Sequence, residues 1–161
     1  MFILIYRNVI INRSITAGIE KICALKDRSF YGVFNPDICN SMICLQEMQL
    51  SSIFENQKDY DEKVKFLKSE ILQMLGNAAL IIQSENQDDV ASVKNTYVTY
   101  QGGGKWLGVF TDVLALNVYT KNLCKHSKVR LSDVINEMKK DDTLSGIVVN
   151  PGRENFLIER K

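Results

Sequence analysis

The sequence predicts an α+β fold: a single domain with a mixed or antiparallel sheet and helices packed on it. Apolar, β-branched runs alternate with helical periodicities along the 161 residues. Two strand pairs are closed by tight turns, one rich in Gly and one built on Pro-Gly, which favours layered α+β packing over a doubly wound parallel sheet. A chain of this length buries about 69% of its open-chain surface on folding, enough for a core without disulfides or metals.

The elements follow in order. Residues 1–11 are apolar and β-branched, as in a buried strand. Ser14 can cap a helix in which Ile15, Ile19, Ile22 and Leu25 recur at helical spacing. Residues 29–34 read as a strand, Asn35-Pro36-Asp37 as a turn, and residues 41–46 as a return strand. From 58 to 75 the pattern is a helix, with Val64, Leu67, Ile71, Leu72 and Leu75 as its apolar stripe. Lys58, Asp61, Glu62, Lys65 and Lys68 face water, and Gly76-Asn77 ends the helix. Residues 78–82 form a continuous apolar run suited to a buried strand, and residues 83–95 a polar loop.

Residues 96–100 and 105–110 flank Gly102-Gly103-Gly104 and predict a hairpin. Thr111-Asp112 caps a helix that turns Val113, Leu116 and Leu123 inward. Ser132-Asp133 opens a second, with Val134, Ile135 and Met138 inward and Lys139-Lys140 at its end. Residues 145–149 and 155–158 pair around Asn150-Pro151-Gly152, where Pro fixes φ and Gly takes the left-handed position.

Twenty basic against nineteen acidic side chains leave a formal charge of +1, which disfavours nucleic acid as a partner. No apolar stretch reaches the roughly 18 residues of a membrane helix, and residues 1–11 lack the flanks of a signal peptide. A cytoplasmic protein is expected. Cys23, Cys39, Cys44 and Cys124 lie in apolar settings without C-x-x-C spacing, suiting buried thiols better than a zinc site. No metal or cofactor is expected.

Two segments carry a resemblance: Trp106-Leu-Gly-Val-Phe-Thr-Asp112, and Leu144-Ser-Gly-Ile-Val-Val-Asn-Pro-Gly152 with Glu154-Asn155-Phe156-Leu157 after it. With the helix at 58–75 and the strand behind it, they resemble the N-terminal domain of the SseB family, the enhanced serine sensitivity proteins. The likeness spans residues 51–161 and implies small cytoplasmic bacterial proteins with no transferable catalytic set. Residues 1–50 have no counterpart in it, and read as an N-terminal extension or a divergent part of the same domain.

Candidate chemistry is sparse. Gly102-Gly103-Gly104-Lys105 lacks the strand-loop-helix context of a phosphate loop, and Trp106 stands where that motif needs Ser or Thr. Cys124 and His126 are two apart, as a nucleophile–base pair in an extended segment would be. They read instead as a solvated helix end, because no orienting carboxylate is evident. The basic residues Lys121, Lys125, Lys128 and Arg130 are one candidate partner-binding patch. The other is the hairpin face of Tyr97, Leu107 and Val109, placed outward because Phe110 must turn toward a covering helix. The expected role is a non-enzymatic protein-binding module whose partner is another protein, with self-association also admitted. A toxin-neutralising immunity protein is the alternative, and a small hydrolase or transferase comes third.

Overall fold

The computed structural model describes residues 33, 35–50, 57–85, 95–99 and 103–160. The chain divides into two compact units, residues 1–74 and 75–161. The strand expected at 1–11 and the helix expected from Ser14 lie outside the described residues. Of the strand expected at 29–34, only Val33 is described, and it is buried.

In the first unit, helix α1 spans Pro36–Leu50. This corrects both the turn expected at 35–37 and the strand expected at 41–46. Asn35, Pro36 and Asp37 are a helix start: Pro sits in the first turn, where a missing N–H costs nothing, and the Asn35 carbonyl accepts the Cys39 N–H at 3.2 Å. Ile38, Met42 and Leu45 are buried at intervals of four and three, the period of a helix face. Helix α2 spans Gln57–Asn77, close to the expected bounds. Its apolar stripe is narrower than predicted. Ile71 and Leu75 are buried and Val64 and Leu67 half-buried, but Leu72 is 41% exposed. One residue around the helix from Ile71, it has rotated about 100° off the covered face.

The second unit is an α+β assembly. Strand β1 (Ala79–Gln83) pairs antiparallel with β4 (His126–Arg130), from Ala79 opposite Arg130 to Gln83 opposite His126. The other sheet has the order β2 (Thr96–Thr99), β3 (Lys105–Val109), β5 (Leu144–Val149), β6 (Phe156–Glu159). Its pairings are antiparallel, parallel and antiparallel, so the sheet is mixed. Between β3 and β5 the chain passes through α3 (Val113–Thr120), β4 and α4 (Leu131–Lys139). Helix α3 packs on β1, and α4 on β5 and β4.

Among the described residues, these two sheets meet at one bridge. Ile81 and Phe110 exchange backbone hydrogen bonds of 2.7 and 2.9 Å, so β1 touches the edge of β3 opposite β5. Two residues earlier on that edge, Gly108 already pairs with Thr96 of β2. The edge of β3 therefore passes from β2 to β1 at a fork. At the far end of the hairpin, Gly103 and Gly104 hold φ of 91° and 96°, as the turn requires.

The hairpin register sets Tyr97 opposite Leu107, as expected. Burial does not follow the expected alternation. Leu107, Val109 and Phe110 are all buried: Val134 of α4 lines a cavity with Leu107, and the Tyr119 ring of α3 lies 5.7 Å from that of Phe110. Leu107 and Val109 are therefore core residues, and only Tyr97 of that trio is exposed, at 45%. Trp106 lies opposite Gly146 across the parallel pair, where a Cβ would stand 2.6 Å from its ring and overlap the Ile158 carbonyl. Helix α3 stops at Thr120, earlier than expected. Lys121 turns left-handed at φ 56°, and Leu123 is 86% exposed instead of inward.

Candidate functional site

The two motif segments meet in a buried polar lock. Asn150, left-handed at φ 52°, uses its Oδ1 to accept the Thr111 backbone N–H at 2.9 Å. Its Nδ2 donates to Thr111 Oγ1 and to Glu154 Oε2, each at 2.9 Å. Thr111 Oγ1 in turn donates to Asp112 Oδ2 at 2.9 Å, while Asp112 Oδ1 caps α3 by accepting the Ala115 N–H at 2.8 Å. Arg153 reaches Glu154 Oε1 at 3.2 Å. All four members of the lock are at most 5% exposed. Charge buried this deeply must be hydrogen-bonded, and here it is, so the cluster holds two loops together. Sequence had indicated the Asp112 cap and the Asn150 turn, but Asn150 serves a segment thirty-nine residues away as well as its own turn.

The exposed site lies along β2, which among the described residues pairs on one side, with β3. Tyr97 projects from it, and the Lys105 ammonium sits 3.7 Å from the centre of the Tyr97 ring. The two are diagonal neighbours across the hairpin, which brings long side chains into reach. Lys105 also faces Asp141 at 3.5 Å. Asp141 accepts the hydroxyl and backbone N–H of Thr143, and these bonds, aided by Lys105, hold its carboxyl below the usual range. Lys105, the residue a phosphate loop would have aimed at an anion, is thus engaged with a ring and a carboxylate.

At the fork lies a cavity of about 260 Å³. Ile82, Leu107 and Val134 give it apolar walls, and Asp133 and Glu137, one turn apart on α4 and both exposed, line it on the solvent side. Thr96 lines it as well, and its Oγ1 is sealed from water without a hydrogen-bond partner. Sequence reasoning missed this site. The carboxylate pair at i, i+4 was readable, but not that its helix would overhang a fork in the sheet.

The basic candidates fall on separate elements. Lys121 follows α3, Lys125 precedes β4, and Lys128 and Arg130 stand two apart on β4, all exposed. The helix end expected there is a strand, and His126 is 3% exposed instead of solvated. Its Nδ1 lies 3.5 Å from the Cys124 carbonyl. The Cys124 thiol bonds to Thr120 Oγ1 at 3.2 Å and receives the Gln83 amide at 3.8 Å. The described thiols Cys39, Cys44 and Cys124 are half-buried, not buried. Burial, with the Glu47 carboxylate, pushes the Cys44 thiol up, away from a reactive thiolate. Cys23 lies outside the described residues. Among those residues, no group of three or more His, Cys, Asp or Glu is placed to hold a metal ion, and no helix is long and apolar enough to cross a membrane.

Comparison of the chain with family models, with curated proteins and with solved structures found no match in any of the three.

Proposed function

We propose that this chain is a protein-binding module, SseB-like in its second unit, whose partner docks along β2. One observation carries the reading: an edge strand presents an exposed tyrosine with a lysine ammonium over its ring. An unpaired strand edge offers backbone donors and acceptors to an extended segment. Tyrosine supplies rigid contact area of the kind that dominates interface energetics. The neighbouring residues support docking as well, since Lys105 and Asp141 present paired charges beside the ring. The SseB-like part of the reading rests on the two motif segments of the sequence.

The test is reconstitution. A partner captured by the full chain is purified and titrated against wild type, Tyr97→Ala and Leu157→Ala, the last altering an exposed residue on the opposite edge strand β6. Tyr97→Ala weakens binding by about thirtyfold, the scale of a hot-spot residue, and Leu157→Ala leaves it unchanged. The reverse order, or a chain that binds no protein and stays monomeric, contradicts the proposal.

A further inference from the structure

The cavity at the fork combines features that an ordinary packing gap lacks. Its walls are aliphatic, and its solvent side carries two carboxylates. A gap left by imperfect packing is lined by apolar groups and stays dry, whereas this one opens onto two charged groups. We propose that this cavity seats a lysine or arginine side chain carried by the protein partner. The inference rests on docking along β2, and it names the chemistry of what docks.

The occupant follows from the arrangement of the walls. Long basic side chains lay their methylenes on apolar surface and keep the charged head where it can be solvated or paired. Here Leu107 and Val134 offer that surface, and Asp133 and Glu137 wait one helical turn apart for the head. The carboxylates have capacity to spare. Asp133 Oδ2 accepts only a long bond, 3.4 Å, from the Arg130 N–H that precedes α4. Glu137 Oε2 takes the Lys140 ammonium at 2.7 Å, but both side chains are exposed, and such surface pairs exchange partners at little cost. An anionic group would meet two carboxylates, and a neutral aliphatic one would leave both acids unanswered. The position fits the docking edge too, since Thr96 and Tyr97 are consecutive residues of β2.

The experiment uses single amino-acid probes on the full chain: N-acetyl-lysine amide, N-acetyl-arginine amide and N-acetyl-norleucine amide, titrated by NMR. Methyl signals of Leu107 and Val134 report occupancy. The basic probes shift them saturably, and Glu137→Gln weakens this about tenfold, as loss of one charge-assisted hydrogen bond does. Glu137→Gln is the deciding variant, because Asp133 also supports the first turn of α4. Absence of saturable shifts with the basic probes, or equal binding of the norleucine probe, overturns the proposal. If that happens while Tyr97→Ala still weakens partner binding, the side-chain seat falls and the docking edge stands. Loss of both removes the reading on which the seat rests.

Discussion

Asn150 and Thr111 are joined twice, by the Thr111 N–H to Asn150 Oδ1 and by Asn150 Nδ2 to Thr111 Oγ1, both at 2.9 Å. A planar carboxamide that donates and accepts is the only common side chain that makes both bonds here. Asn150→Gly keeps the left-handed backbone and removes the amide. It lowers stability by about 2–3 kcal/mol in urea titration, the cost of disrupting a buried polar network. Asn150→Ala loses about 1 kcal/mol more, because φ is positive. Two variants within about 0.5 kcal/mol of wild type would show that the lock contributes little.

Gly146 is held to glycine by its neighbours. A methyl group there overlaps the Ile158 carbonyl and crowds Trp106. Gly146→Ala lowers stability by about 2 kcal/mol or more, the range for overpacking in a core. Pairing it with Trp106→Leu recovers only part of the loss, since the carbonyl remains. Full recovery would place the clash at the ring alone.

Asp141 predicts a pH effect of defined sign. Its carboxyl sits below the ordinary value in the folded chain, first through Thr143 and then through Lys105. The stability it contributes is fully present above the ordinary aspartate pKa and is lost as pH falls through the lower folded value. NMR titration of Thr143→Ala moves the Asp141 midpoint upward toward the ordinary value. An unchanged midpoint would mean that the hydroxyl does not hold the charge.

Arg160 closes the C-terminal end of α4. Its guanidinium donates to the carbonyls of Asp141, at 2.7 Å, and of Lys139 and Met138, and it pairs with Asp142. A cation at a helix C-terminus meets both the orphan carbonyls and the helix dipole. Arg160→Ala costs about 1–2 kcal/mol and speeds amide exchange in the last turn of α4 ahead of its first turn. Uniform acceleration along the helix would contradict a local capping role.

The second unit was largely legible because its signals are local. Glycines mark the hairpin, Asp112 caps α3, Pro-Gly turns β5 into β6, and α4 carries its apolar face at helical spacing. What escaped was non-local. Alternation along β3 cannot say whether one face or both will be covered, so it points Leu107 and Val109 outward although both are buried. Asn35-Pro36-Asp37 fits a turn and a helix start equally, and only the burial of Ile38, Met42 and Leu45 selects the helix. The basic residues from Lys121 to Arg130 looked like one helix end because nothing local reveals the left-handed stop at Lys121. The cavity needed a helix, a strand edge and a fork, and no window of sequence holds all three.

A partner that docks along β2 lies against Tyr97. The most direct measurement is site-specific photo-crosslinking in the native host, with a photoreactive phenylalanine at position 97 in one variant and at position 157 in another. Both positions are exposed, at 45% and 44%, on opposite edge strands of one sheet. Docking along β2 gives a single discrete protein adduct from position 97 and none from position 157. Adducts from position 157 alone, or the same adducts from both, would contradict it.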